Sequence, residues 1–325
     1  MFFLPVGYCK LIVWASIVFG GQKLKENDFG FMVGSSPKFF WKIGIAIPGI
    51  IGKLFIYVNC VYDYMETNLK LSTNYIIKSL FEQEYYYFTV RELAVLLKIP
   101  IMKAYAVVAR LEGRGFIKSV ERGKYLLLGF EPERVLSNPF FIASRVVYPS
   151  YVSFWSALNF YGFTEQVPIT VFLASTRKKK EVEFNNSRFK YVLINPEKFF
   201  GYRKERTGEL DFLIAEEEKA VIDSLYLPEN AGGMAEVIKA VYNAKDKVDP
   251  ERLFEYASAM KNRSLCSRLG YLLERFDADT GILLECSSNE YIKLDPTRKK
   301  SKVWDKKWHV NVNMNEEEIL GWRET

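Results

Sequence analysis

The chain is nearly without histidine: His309 is the single imidazole in 325 residues. Its four cysteines, Cys9, Cys60, Cys266 and Cys286, form no Cys-x-x-Cys pair. That set gives zinc no ligand spacing and does not announce a disulfide scaffold. No metal is therefore expected, and the thiols are expected to be free in a reducing cytoplasm. Also missing are G-x-S-x-G and the phosphate loop G-x-x-x-x-G-K-[ST]. Gly232-Gly233 lacks the lysine that such a loop needs and reads as a turn. Glu218 and Asp223 share a helix, but nothing else converges on them. His309 sits in an alternating run with no nucleophile to serve. With no catalytic set and no cofactor site, no enzyme activity is expected.

Charge of one sign is scarce as well. The net charge is +6 and the pI near 8.9, too mild to name a polyanionic partner. Its distribution says more. Residues 1–65 are net +3, residues 66–130 net +4, and residues 131–325 net −1. The excess is thus concentrated in the first 130 positions, ahead of a long balanced remainder.

Long apolar runs are poor too. LIVWASIVFGG is short, and IGIAIPGIIGKLFIYVNCVY reaches membrane length only by tolerating Pro48, Lys53 and Asn59. The start, MFFLPVGY, has none of the cationic residues of a signal peptide. Residues 1–64 are read as an apolar extension. It is a weak membrane anchor, an extra packed element, or no part of the working protein, with Met65 as the start. The last is preferred.

Residues 65–130 carry the strongest pattern. In ETNLKLSTNYIIKSLFEQ, Leu69, Tyr75, Ile76 and Leu80 begin a helical stripe. Thr89 followed by Glu92 is a capping box, in which the two side chains satisfy backbone N–H groups at a helix start. Leu93, Leu96 and Leu97 form that helix's apolar face. Pro100 then excludes Ile99 from helical dihedrals and opens a second helix, which makes a helix-turn-helix. In the second helix Ala104, Val107, Val108 and Leu111 recur at i, i+3, i+4, i+7 and form a core face. The opposite face offers Met102, Lys103, Tyr105, Ala106, Ala109 and Arg110. Gly113-Arg114-Gly115 ends the helix. Phe116–Val120 and Lys124–Leu128 read as strands around a Glu121-Arg122-Gly123 tip. A hairpin in that place is a wing. Arginine and lysine reach phosphates or base edges, and a tyrosine hydroxyl reaches phosphate. Expected DNA contacts are Met102, Lys103, Tyr105, Arg110, Arg114, Lys118, Arg122 and Lys124.

Residues 131–325 read as a larger domain of strands and helices. EPERVLSNPFF is taken as a linker. Tyr151, Phe154, Trp155 and Leu158 are spaced as the buried stripe of a helix that Gly162 closes. ITVFLAST, FKYVLIN and GELDFLIA are strand candidates. EEEKAVIDSLYL, AGGMAEVIKAVYN, DPERLFEYASAM and RSLCSRLGYLLERF are helix candidates. Arg177-Lys178-Lys179-Lys180 is a solvated loop or a second nucleic-acid or partner contact. The fold class expected is α+β, an N-terminal winged helix-turn-helix followed by a larger mixed α/β domain.

The blocks YPSYVSFWSALNFYGFTEQVP and EEKAVIDSLYLPENAGGMAEV, behind such a winged helix, resemble the AbiEi-type antitoxins of type IV toxin–antitoxin systems. The resemblance spans about residues 66–315 and leaves residues 1–64 without a counterpart. It implies a cytoplasmic regulator that binds and represses the operator of its own operon through the winged helix. It also implies antitoxin activity in the C-terminal domain against a nucleotidyltransferase-like toxin, without a stable complex. The family's positive patch falls on the cations already named, and no catalytic residue carries over. Rival readings are a transcription factor with a ligand- or protein-sensing C-terminal domain, a membrane-tethered regulator, and an enzyme with an unfamiliar site in residues 140–325.

Overall fold

The computed structural model describes residues 2–6, 9–13 and 72–323. The other expectations for residues 1–64, and Leu69, lie outside the described residues. Strand β1 (Phe2–Val6) pairs antiparallel with β2 (Cys9–Val13). A separate unit spans Thr73–Thr325.

That unit opens with α1 (Thr73–Glu82), β3 (Tyr87–Thr89), α2 (Val90–Leu97), α3 (Ile101–Gly113), β4 (Ile117–Glu121) and β5 (Lys124–Leu127). Strand β5 is central in a three-stranded antiparallel sheet, β3-β5-β4. Helix α1 buries Ile76, Ile77 and Leu80, whereas Tyr75 faces solvent. Thr89 and Glu92 form the reciprocal capping box. Leu93, Ala94 and Leu97 are buried behind it, with Leu96 half-buried.

The next elements replace the expected linker. Pro132 and Pro139 each open a helix, α4 (Pro132–Leu136) and α5 (Pro139–Val146). A proline at the first helical position gives up an N–H that would be unpaired anyway. Asn138 caps α5 by accepting from the Phe141 N–H at 3.0 Å. No break in the apolar interior separates these helices from the preceding sheet. Leu126 of β5 and Leu128 just after it share one core with Val135, Phe141 and buried residues as far as Ile319. Tyr86 packs edge-on against Phe141, ring centroids 5.1 Å apart.

The larger part is built on a six-stranded mixed sheet, making the fold α+β. Its strands are β6 (Ser150–Val152), β7 (Thr170–Ser175), β8 (Val182–Phe184), β9 (Ser187–Leu193), β10 (Tyr202–Thr207) and β11 (Leu210–Ala215), in the order β10-β11-β6-β7-β9-β8. Pairs β11/β6 and β7/β9 are parallel, the others antiparallel. Tyr151 belongs to β6, not to the helix that follows; α6 runs Phe154–Phe160. The apparent stripe at 151, 154, 155 and 158 was a buried strand residue falling by chance at helical spacing.

Helix α7 (Glu217–Tyr226) is enclosed on every side, with Glu218 to Leu225 all buried. Around it lie α8 (Met234–Ala244), α9 (Pro250–Ala259) and α10 (Arg263–Arg275). A short helix, α11 (Leu283–Cys286), brings Cys286 to Cys266 of α10, and the two form a disulfide with Cα atoms 5.9 Å apart. This corrects the expectation of free thiols: the pairing joins elements 20 positions apart, which local spacing does not reveal. Strands β12 (Ile292–Lys293), β13 (Trp304–Asp305) and β14 (Val310–Asn311) form a second small sheet, before α12 (Glu316–Leu320). Among the described residues no helix is long and apolar enough to cross a membrane.

Candidate nucleic-acid interface

Helix α3 is positioned by how α2 ends. Lys98 takes left-handed dihedrals (φ 53°), and its N–H closes the last turn of α2. The Ile99 N–H returns to the Ala94 carbonyl at 3.0 Å, and Pro100 accepts from Lys103 and Ala104 to start α3. Ile99 precedes proline and so cannot continue a helix, which fixes the three-residue corner. A shallow hollow at this corner is lined by Arg91, Val95, Lys98 and Ile101.

The sequence assigned the faces of α3 as the structure has them. Ala104, Val107, Val108 and Leu111 are at most 4% exposed. Burying each of the three larger side chains contributes about 1.5–3 kcal/mol, so this face has one orientation. On the other side Met102 and Tyr105 are 74% and 55% exposed, and Lys103, Ala106 and Ala109 are open to solvent. Arg110 is half-buried beside them. Among the described residues Lys103 and Arg122 form no ion pair.

The hairpin differs from expectation. Glu121 lies within β4 and pairs with Lys124, so the tip is the two-residue turn Arg122-Gly123, with Gly123 at φ 74°. Arg122 projects alone. Three other expected contacts are engaged inside the protein. Lys124 bonds Glu121 at 3.1 Å. Lys118 donates to Asn185 at 3.1 Å and lies 5.1 Å over the Phe184 ring. Arg114 donates to the Thr73 hydroxyl at 3.1 Å. Met102, Lys103 and Tyr105 thus share the open face of α3, Arg110 is half-buried beside them, Arg122 is exposed at the hairpin tip, and Arg114, Lys118 and Lys124 bond neighbours within the chain. The Glu112 carboxylate accepts from the Ser119 N–H at 3.2 Å, joining the end of α3 to β4.

Sequence reading missed the clasp behind this hairpin. Glu121 accepts from the Tyr87 hydroxyl at 2.9 Å and from Lys179 at 2.5 Å as well as from Lys124. Burial pushes the Glu121 carboxyl up, but hydrogen bonds from Lys179, Tyr87 and Lys124 outweigh burial and hold it at about 2. Tyr87 is driven far above its ordinary value, first by burial and then by that same carboxylate. Glu121 and Lys179 are 58 positions apart, so no local signal could have paired them.

A second polar cluster is wholly interior. Lys219 and Asp223 form an ion pair, Tyr151 donates to Asp223 at 3.0 Å, and Ser153 donates at 2.8 Å. All four residues are at most 1% exposed, so the cluster ties β6 to α7 and meets no solute. Glu218 serves a different neighbour, accepting from the Asp249 N–H at 2.9 Å. His309 is half-buried with its ring edge-on to Tyr291.

No family model matches the chain, and no curated protein matches it. Among solved structures, the crystal structure of RV2827C protein from Mycobacterium tuberculosis is similar in part, at 14% identity and a TM-score of 0.49. That similarity covers 77% of this chain and 94% of the other, and at this level it assigns neither fold family nor function.

Proposed function

We propose that residues 73–128 are a winged helix-turn-helix that binds duplex DNA, and that the protein represses its own operon. The observation that carries this reading is the two-sidedness of α3. One face is locked into the core, and the other offers Met102, Lys103 and Tyr105 around two alanines. Small residues at 106 and 109 let the helix backbone approach a major groove. Lys103 and Arg110 neutralise phosphate or meet base edges, and the Tyr105 hydroxyl bonds phosphate. Arg122 at the wing tip overlies the adjacent minor groove or its backbone. Arg91 and Lys98, both exposed at the corner, add contacts the sequence reading had not named.

With these five cations at phosphates, log affinity falls against log salt with a slope of about −4 to −5. The test is a gel shift on the DNA upstream of the protein's own gene. Lys103→Ala with Arg110→Ala abolishes binding while the circular dichroism spectrum is kept; unchanged affinity overturns the reading. The antitoxin role rests on the resemblance described above. Growth rescue on coexpression with a neighbouring nucleotidyltransferase-like toxin tests it, and absence of rescue leaves a repressor alone.

A further inference from the structure

We propose that the loop Arg177-Lys178-Lys179-Lys180 extends the wing into a second phosphate-binding surface, which grips duplex DNA flanking the bound site. The inference rests on the DNA-binding reading above and adds a region distant in sequence, 58 positions beyond Glu121.

Lys179 sets the geometry. Its ammonium is on the Glu121 carboxylate, and Glu121 directly precedes Arg122 at the wing tip. Lys179 reaches Glu121 through one flexible four-carbon stem, and successive Cα atoms are about 3.8 Å apart, so Arg177, Lys178 and Lys180 lie within a few residues' reach of Arg122. A second tie fixes the register between loop region and wing: Lys118 of β4 donates to Asn185 in the turn after β8. The root of the loop is held as well. The Ser175 hydroxyl donates to the Pro149 carbonyl at 2.8 Å and accepts from the Arg177 N–H at 3.1 Å.

Cations outnumber free acids at this junction. Glu121 is answered by Lys179, Lys124 and Tyr87. Arg177, Lys178 and Lys180 are exposed and form no ion pair among the described residues. Glu183 is taken by Arg188 at 3.0 Å. Glu181, at the loop's far end, is exposed and in no ion pair among the described residues, and Glu112 holds the Ser119 N–H of β4 at 3.2 Å. Three open cations continuing a wing tip fit a run of phosphates better than an acidic protein, because the partner is then already bound to the neighbouring arginine.

The experiment compares the full chain with Arg177→Ala/Lys178→Ala/Lys180→Ala on two duplexes from the upstream DNA, one long and one trimmed on the wing side. Melting temperature and circular dichroism control for folding. On the long duplex the triple variant loses about tenfold in affinity and its salt slope falls by about 2–3, while preference over unrelated sequence is retained. On the trimmed duplex variant and wild type bind alike. A charge-keeping Lys178→Arg/Lys180→Arg variant binds as wild type does. Wild-type binding by the triple variant on the long duplex overturns the proposal and leaves the α3 reading standing; so does a variant that binds normally but loses growth rescue, which assigns the loop to a protein partner. If Lys103→Ala/Arg110→Ala leaves binding unchanged, the DNA reading itself fails.

Discussion

Replacing Lys219 by methionine should cost about 3–5 kcal/mol, because it strands a carboxylate in the interior. Lys219 and Asp223 are 0% and 1% exposed at the side chain. The ammonium serves Asp223 and the Tyr151 hydroxyl and lies 4.8 Å from the centre of the Phe200 ring. Methionine keeps the apolar stem among those rings but leaves Asp223 with only two neutral donors, Tyr151 and Ser153. Removing both charges, in Lys219→Met/Asp223→Leu, abolishes the stranded ion. What remains is two buried hydroxyls without their acceptor, at about 1–2 kcal/mol each. The double variant should therefore cost clearly less than the sum of the two single losses, a coupling that additivity forbids. Urea unfolding at neutral pH, reading the midpoint at constant slope, measures the cycle. A Lys219→Met loss below about 1 kcal/mol, or single losses that simply add, would refute a tightly coupled interior pair.

Other perturbations probe separate parts of the unit. Glu121→Gln should lower stability by about 2 kcal/mol at neutral pH, somewhat less than the shift alone implies, because the side chain is 26% exposed. Glu121 is held at about 2 against an ordinary 4.5, so its contribution is complete above about pH 4.5 and fades as pH falls toward 2. The midpoint gap between wild type and Glu121→Gln should close over that window; a gap unchanged at pH 3 contradicts the clasp. Gly270→Ala in α10 would drive a methyl into the buried Trp308 ring, costing about 1–3 kcal/mol by overpacking; a thermal melt equal to wild type would exclude that contact. Cys266→Ser should cost about 3 kcal/mol for a loop of this length. Alkylation of denatured, unreduced protein should label at most two of the four cysteines; labelling of all four denies the pairing.

What was legible in the sequence was what neighbours on the chain decide. The capping box at Thr89 and Glu92 and the i, i+3, i+4, i+7 run from Ala104 to Leu111 are complete within a dozen residues, and both appear as read. Proline signals were locally ambiguous. Pro132 and Pro139 suit a linker as well as a helix start, and only the Asn138 cap tips the balance. Tyr151 was misplaced because only Val152 of β6 and the cap Ser153 separate it from α6, and burial alone mimics helical spacing over so short a distance. The Lys219 and Asp223 spacing of four is ordinary on a helix surface; nothing nearby in sequence says that α7 is covered on all sides.

The cations divide for the same reason. Arg114, Lys118 and Lys124 looked equivalent to Lys103 and Arg122, since composition assigns every exposed-looking lysine to solvent. Their partners are what differ. Thr73 lies 41 positions before Arg114, and Asn185 lies 67 positions after Lys118. Glu121 sits only three residues from Lys124, but Lys179, 58 positions on, and Tyr87 also claim its carboxylate. A carboxylate in a hairpin otherwise rich in positive charge has to be answered. Answering it from Lys179, in the loop between β7 and β8, also ties the hairpin to the remainder of the unit. Among the described residues, Lys103 and Arg122 are left exposed and outside any ion pair.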